Sequence, residues 1–463
     1  MLLPAGHSLR RSIPRIWIAF AGALAAAAVA LAGAPPASAF RIFTVNSTGD
    51  QPDVTIQDLR CDVDANAAGD QCTLRAAITQ ANAISTDRDA IEFAIAGPGV
   101  HTIKPESQLP ALTTPALIDG YSQPGARFNR KGIDEGDDAR LRIVVSGEKL
   151  DPNAFTRGIW LMAGSRDSEV RGLVVSGFGV GIQFDDSSTI DGNFVGTDAS
   201  GRKARPNRFT GLAGVGLGQT TIGGVNPALR NVISGNRDGA IVSGGAITVK
   251  GNFIGTKSDG HSPLGNGSQG LLGAVASFGS GVIGGPGSAA NVIAYNGAAG
   301  VIVVNRGAPT TLSRNRIFGN RGLGVDLGED GRTANDPGDR DDGPNELQNF
   351  PQLGSALTGK HVTTVKGSVE GLSGTTLRVE LFANPRGARQ ARRFIGSGLA
   401  TIPAGASSAS FQVEVDRIAR GGSITATATN DIGATSEISD PQRVQRRRPG
   451  RLRPAGQGAE LEL

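Results

Sequence analysis

Two long blocks of this chain align with each other, and their spacing restricts the fold more than any other feature does. One block reads IDGNFVGTDASG and then TIGGVNPALRNVISGNRDGAIV. The next reads VKGNFIGTKSDG and then VIGGPGSAANVIAYNGAAGVIV. Asn193 to Asn252 is 59 residues, Ile222 to Ile283 is 61 and Asn231 to Asn291 is 60. Inside a block, Asn231 to Asn252 is 21 residues. A third block starts at LSRNRIFGNRGLGVDLG, and a partial copy, EVRGLVVSGFGVGIQF, precedes them. A super-repeat of about 60 residues therefore holds about three coils of roughly 20 residues.

That period fits one turn of a parallel β-solenoid, with three short strands and turns between them. A single coil cannot bury its apolar face, so coils stack. Val, Ile and Phe then fill the core in rows. The recurring Asn193, Asn231, Asn252, Asn291 and Asn315 fit a turn position where side-chain amides stack from coil to coil. Asn also tolerates a left-handed backbone there. Glycine, at 68 of 463 residues, is about twice its usual share and serves the turns. A propeller blade, with four strands in roughly 40 residues, matches the spacing less well.

One stretch ahead of the coils has a different period. In QCTLRAAITQAN, Leu74, Ala77, Ile78 and Ala81 follow helical spacing, with Thr73 placed to cap the first turn. A solenoid's first coil exposes an apolar end and unpaired strand edges, so this helix reads as a lid.

Together, CTLRAAITQAN, LPALTTPALIDGYSQPG and the GNFIGT and NVISGN repeats resemble the bacterial right-handed parallel β-helix proteins with an N-terminal CSLREA-type motif. The resemblance spans about residues 41–350. Ala76 stands where that pattern has Glu. The resemblance implies the helical solenoid shared by pectate lyases, polygalacturonases and surface adhesins, in a family largely without assigned activity.

Residues 351–440 change style. VTTVKGSVEGL, TTLRVELFANP, RFIGSGLATI, ASFQVEVD and SITATATND alternate as strands, a pattern for a small Ig-like β-sandwich. The expected organisation is a signal peptide at 1–39, an N-terminal cap and first coils at 40–125, the β-helix at 126–350, the sandwich at 351–440 and a basic disordered tail at 441–463. The class is all-β: a right-handed parallel β-helix with a helical cap, then the sandwich.

Export follows from the N-terminus. Arg10, Arg11 and Arg15 precede an apolar run, and Ala37-Ser38-Ala39 offers a cleavage site before Phe40. Membrane contact is thus expected only during export, and the mature protein is expected as a secreted or cell-surface monomer. The formal net charge is +4. Three positive charges lie in the signal and a net four in the tail, which leaves −3 between them. A mildly acidic body argues against nucleic acid as partner. Cys61 and Cys72, the two cysteines, read as one disulfide in an exported chain.

Candidate chemistry is sparse. Asp336, Asp339, Asp341 and Asp342 lie in a glycine-bent acidic stretch whose hard oxygen ligands suit Ca²⁺, although the full 12-residue calcium loop is absent. Asp185-Asp186 is the paired carboxylate inside the coils. Neighbours on a strand point to opposite faces, which argues for a turn over an acid–base pair. His261 sits in DGHSP, with Ser262 where the Gly-His-Gly motif of polygalacturonases has its second glycine. Trp160 and Phe178 are weighed as a sugar platform against core packing. Arg202, Lys203, Arg205, Lys250 and Lys257 are weighed as partners of an acidic sugar against solvated surface charge. Asn46 and Asn266 match glycosylation acceptors. The leading expectation is a non-catalytic scaffold that binds polysaccharide or another cell-surface component along a lateral face. The alternatives are a lyase or glycoside hydrolase of acidic polysaccharide, and a structural spacer.

Overall fold

A computed structural model describes residues 41–56, 58–83, 88–216, 218–267 and 273–447. The expected signal peptide and the tail beyond Arg447 lie outside the described residues.

Short Val- and Ile-rich strands separated by glycine turns stack into three all-parallel sheets, of nine, eight and seven strands among the described residues. The first runs from Ile42–Val45 to Thr310–Ser313, the second from His101–Ile103 to Arg316–Phe318, and the third from Arg157–Leu161 to Val325–Leu327. From Ala116–Asp119 onward each coil contributes one strand to each sheet, so the architecture is a parallel β-helix. Register sets the core. In the first sheet Ile118, Val170, Ile190, Ile222, Val249, Ile283 and Leu312 stand in line. In the third, Ile159, Ile182, Leu212, Ile241, Val275, Val301 and Val325 do the same. All are buried in one apolar cluster that runs the length of the helix. A one-residue slip would send such a row to solvent, which fixes the stacking.

The five expected asparagines form a ladder. Asn231 Nδ2 donates to Asn252 Oδ1 at 2.9 Å, Asn252 Nδ2 to Asn291 Oδ1 at 3.1 Å, and Asn291 Nδ2 to Asn315 Oδ1 at 2.9 Å. Asn193 donates to Asn231 at 3.3 Å. At three rungs the left-handed residue is the one before the asparagine: Gly192, Gly251 and Arg314 have φ of 63°, 69° and 53°. Arg230 and Ala290, which precede Asn231 and Asn291, are extended instead, with φ of −64° and −60°. A second ladder, not anticipated, joins Asn207, Asn236, Asn266, Asn296 and Asn320 with Nδ2-to-Oδ1 distances of 2.9 to 3.0 Å. Asn266 is 1% exposed, so the amide that a glycan would need is buried.

Both ends of the solenoid are closed. The helix Leu74–Ala83 begins where expected, with Ala76 N donating to Thr73 Oγ1 at 3.1 Å. Leu74, Ala77, Ile78 and Ala81 join the solenoid core. A Cys61–Cys72 disulfide ties the start of this lid to the preceding loop. At the other end sits a seven-stranded β-sandwich. The five expected strands are Val362–Glu370, Thr376–Asn384, Arg393–Thr401, Ser408–Asp416 and Ser423–Thr429. Two more, Gln352–Thr358 and Gln442–Arg446, complete the sheet. The start of the expected disordered tail is therefore a strand, because Val444, 1% exposed, is anchored in the sandwich core.

The sandwich acts as the second lid. Its Phe382, Ala391 and Ile438 belong to the solenoid core. Ile317 and Ala391 exchange backbone hydrogen bonds at 2.8 Å. Glu380 Oε2 accepts from Arg314 N at 2.9 Å, and Thr435 Oγ1 accepts from Leu312 N at 3.0 Å. The last coil thus finds partners for strand edges that would otherwise invite other chains.

Candidate functional site

Capped ends leave only the lateral faces for recognition. On the outer face of the third sheet, the strand Arg157–Leu161 and its neighbour Val180–Phe184 carry a connected polar group. Trp160 and Gln183 are register partners and point outward. Trp160 Nε1 donates to Asp185 Oδ2 at 2.7 Å, and Gln183 Nε2 to Asp185 Oδ1 at 2.9 Å. Arg157 Nε donates to Gln183 Oε1 at 2.5 Å. The Arg157 guanidinium lies 4.2 Å from the Trp160 ring centroid and 4.7 Å from that of Phe155, within cation–π range.

Phe155 and Phe209 extend this face. Their rings stack at 5.3 Å between centroids, and they are 54% and 41% exposed. The loop that holds Phe155 is fixed by Arg208, whose Nη2 donates to Ala154 O at 2.9 Å. Phe209 N donates to Gly179 O at 2.8 Å. Two large apolar rings are thus held open to solvent, which a fold does not require. Planar ring faces beside fixed donors and acceptors suit a ligand with one apolar face and polar edges.

The sequence-selected residues separate here. Trp160 stands on the face, whereas Phe178 is fully buried and belongs to the core. Asp185 joins the polar group. Asp186 instead accepts from Ser187 N at 2.7 Å within its own turn. The two acids therefore do different jobs and do not form an acid–base pair. His261 sits beside Asp259 at 3.8 Å in an exposed turn. Phe155, Arg157, Gln183 and Phe209 were not singled out from sequence. Their signal was Phe-x-Arg and Trp in one strand entry, with Phe209 at the matching entry two coils on.

Carboxylates on the first sheet are already engaged. Arg171 pairs with Asp119 at 2.7 Å and with Glu169 at 3.1 Å, and Glu169 also meets Arg88. Asp191, beside them, is 1% exposed. Burial, reinforced by Glu169, pushes its carboxyl up to about 7.

At the acidic junction, Asp336, Asp339 and Asp341 bring carboxylate oxygens within 4.8 Å of one another. Asp342 lines the same cavity but is not part of that group. Asp339 accepts from Asn349 N at 2.7 Å and Gln348 Nε2 at 2.5 Å. Asp341 Oδ1 has no hydrogen-bond partner. Burial, with Asp336 and Asp341 adjacent, pushes the Asp339 carboxyl up to about 7. Three hard oxygen donors with mutual repulsion match what a divalent cation relieves.

No protein-family model matches the chain, and no curated protein matches it. Among solved structures, the enzymatically active domain of tailspike protein 4 of bacteriophage CBA120 shares 11% identity over 80% of this chain, with a TM-score of 0.16. The chain spans 65% of that domain's length. The fold here rests on the strand registers and not on this likeness.

Proposed function

We propose that this protein is an exported, non-catalytic β-helix scaffold of the CSLREA type that binds carbohydrate along its lateral face. The sandwich is its Ig-like module, and the mature chain works outside the cytoplasm as a secreted or surface protein. The observation that carries this reading is the exposed Phe155–Phe209 stack beside the Arg157–Gln183–Asp185–Trp160 group. Aromatic faces take the apolar face of a sugar ring, and the fixed polar atoms take its hydroxyls. The Cys61–Cys72 disulfide accords with an oxidising compartment. Among the described residues no helix is long and apolar enough to cross a membrane.

A polysaccharide array on the full chain tests this. Trp160→Ala and Phe155→Ala/Phe209→Ala should each weaken retained glycans by about tenfold or more, as loss of an aromatic anchor does, with unchanged melting temperature. Equal retention by these variants would sink the proposal. The enzymatic alternative makes a different forecast: Asp185→Asn would abolish measurable chain cleavage of a uronic-acid polymer.

For Asp336, Asp339 and Asp341 we propose a Ca²⁺ site that stiffens the junction between solenoid and sandwich. Support comes from the convergence of the three carboxylates and the partnerless Asp341 Oδ1.

A further inference from the structure

The outer face of the second sheet is apolar. Val174, Phe194, Val232, Phe253 and Val292 stand in register along it. A strap covers this row. Residues 121–141 run alongside the coils and place Tyr121, Ala126, Ile133, Ala139 and Leu141 against it in a second apolar cluster. The strap is pinned by Arg230, whose Nη1 donates to Lys131 O at 2.9 Å and Gly136 O at 2.7 Å.

The cover stops before the first coils. Past Leu141 the chain re-enters the sheet at Ile143–Val145, next to His101–Ile103. Thr102 and Val144, which continue the same outward row, form part of the wall of an open groove of about 670 Å³. That volume is in the range of small-ligand sites. Its lining also includes Arg140, Arg142, Arg205 and Ser176.

The charges around this groove are unequally committed. Asp138 accepts from Arg130 N at 2.8 Å and Arg127 Nη2 at 3.2 Å. Asp198 accepts from Ser200 Oγ at 2.7 Å, Arg202 N at 3.1 Å and Lys203 N at 3.2 Å. Glu148 pairs with Lys104. Asp138 and Asp198 are thus satisfied by their own loops, and Glu148 by Lys104 across the groove wall, with Arg205 near enough to help hold its carboxyl down. Arg142 Nε and Arg205 Nη1 donate only to carbonyls, those of Gly125 at 3.2 Å and Ala204 at 3.3 Å. Among the described residues, none of Arg140, Arg142 and Arg205 forms an ion pair within 4.0 Å. Three guanidiniums from two segments, residues 140–142 and Arg205, line one groove with the hydroxyls of Thr102 and Ser176, and none of them is held in a close ion pair.

We infer that this groove binds a polyhydroxylated ligand bearing an oxyanion, with Arg140, Arg142 and Arg205 on the anion and the Thr102 and Ser176 side on its hydroxyls. Guanidinium forks recognise carboxylate, sulfate and phosphate alike, so the shared chemistry is an acidic sugar-like ligand. The site is separate from the third-sheet face and does not depend on that reading.

Calorimetric titration of the full chain tests it with oligogalacturonate, sulfated dextran oligomers, a sugar phosphate and unmodified dextran oligomers. At least one anionic probe binds and unmodified dextran does not. The tightest anionic probe names the source of the oxyanion. Arg140→Glu/Arg205→Glu, both exposed, lowers its affinity by about tenfold or more, and added salt weakens binding. Thermal melting of the variant confirms its fold. The same titrations in the Trp160→Ala background, with the aromatic face disabled, read the groove alone and decide between the outcomes. The proposal falls if no anionic probe binds, if unmodified dextran binds equally, or if Arg140→Glu/Arg205→Glu binds like the parent chain.

Discussion

Replacing Asn252 by alanine removes a central rung of a buried amide ladder. Its Nδ2 lies within hydrogen-bond range of Ile222 O at 2.9 Å, Lys250 O at 2.9 Å and Asn291 Oδ1 at 3.1 Å. Its Oδ1 accepts from Asn231 Nδ2 at 2.9 Å and from Asn231 N at 3.1 Å. One NH₂ has two protons, so four of these contacts count at full strength. At about 1 kcal/mol net each, the loss is roughly 4 kcal/mol, and an unsatisfied Asn231 N–H adds to it. Asn315, the last rung, has fewer partners: Ile283 O, and the Nδ2 and N of Asn291. Its alanine variant should cost about 2–3 kcal/mol by the same rule. Asn153, exposed in a loop, is the control, expected within about 0.5 kcal/mol of the parent. Urea unfolding, read as the midpoint shift at constant slope, ranks the three. If Asn252→Ala is as mild as Asn153→Ala, the ladder does not hold the coils and the reasoning fails.

Stability should fall as pH rises from about 4 to about 7. Burial lifts the carboxyls of Asp191, Asp339 and Glu437 to about 7. The folded chain therefore binds more protons than the unfolded chain across that window, and this contribution is lost as pH passes through the folded values. Melting temperature should be higher at pH 5 than at pH 8; a flat profile contradicts the assignment. Ca²⁺ at pH 8 should recover part of the loss, and Asp339→Asn should abolish that response. If calcium shifts the melting of Asp339→Asn as it does the parent, the junction site is wrong. Cys61→Ser/Cys72→Ser opens a link between residues 11 apart in sequence, and should cost about 2–3 kcal/mol. Hydrogen exchange should show the added opening first in the helix Leu74–Ala83; equal protection there would mean that the bridge does not hold the lid.

What was legible in sequence was whatever repeats or obeys a short period. The steps of 59 to 61 residues between Asn193, Ile222, Asn231 and their copies are the coil geometry itself. The Leu74, Ala77, Ile78 and Ala81 stripe is a local period, and so is the alternation in Val362–Glu370 and Ser408–Asp416. The second ladder carried a period of its own, with steps of 29, 30 and 30 residues from Asn207 through Asn236 and Asn266 to Asn296, so it too was legible. The strap was hidden. Its apolar residues, Ala126, Ile133 and Ala139, follow no period because they fit a surface made by other coils. The strand Gln442–Arg446 was masked by its charge: Arg443 and Arg446 point outward, and only Val444 faces the core. Among candidate ligands, Asp336, Asp339 and Asp341 were legible as a cluster. Asp342 failed to join because adjacent residues diverge.

The closed ends give the lateral faces their meaning. An uncapped parallel stack presents its reactive surface at the terminal strands, where main-chain groups recruit other strands without regard to side chains. Here the helix covers one end, and Thr435, Glu380 and Ala391 occupy the other. Main-chain recruitment is thereby suppressed at both ends, and the binding proposed for this chain falls to side chains on its flanks. Along most of the second sheet even the flank is sealed, by a strap fixed through the buried Arg230. This chain covers its apolar rows and leaves other large apolar side chains exposed, Val215, Phe278 and Leu399 among them, but Phe155 and Phe209 stack on each other in solvent and three guanidiniums surround an open groove. Departures from local consistency concentrate at functional sites. That contrast, more than the size of either surface, separates the two flank sites from ordinary exposed residues.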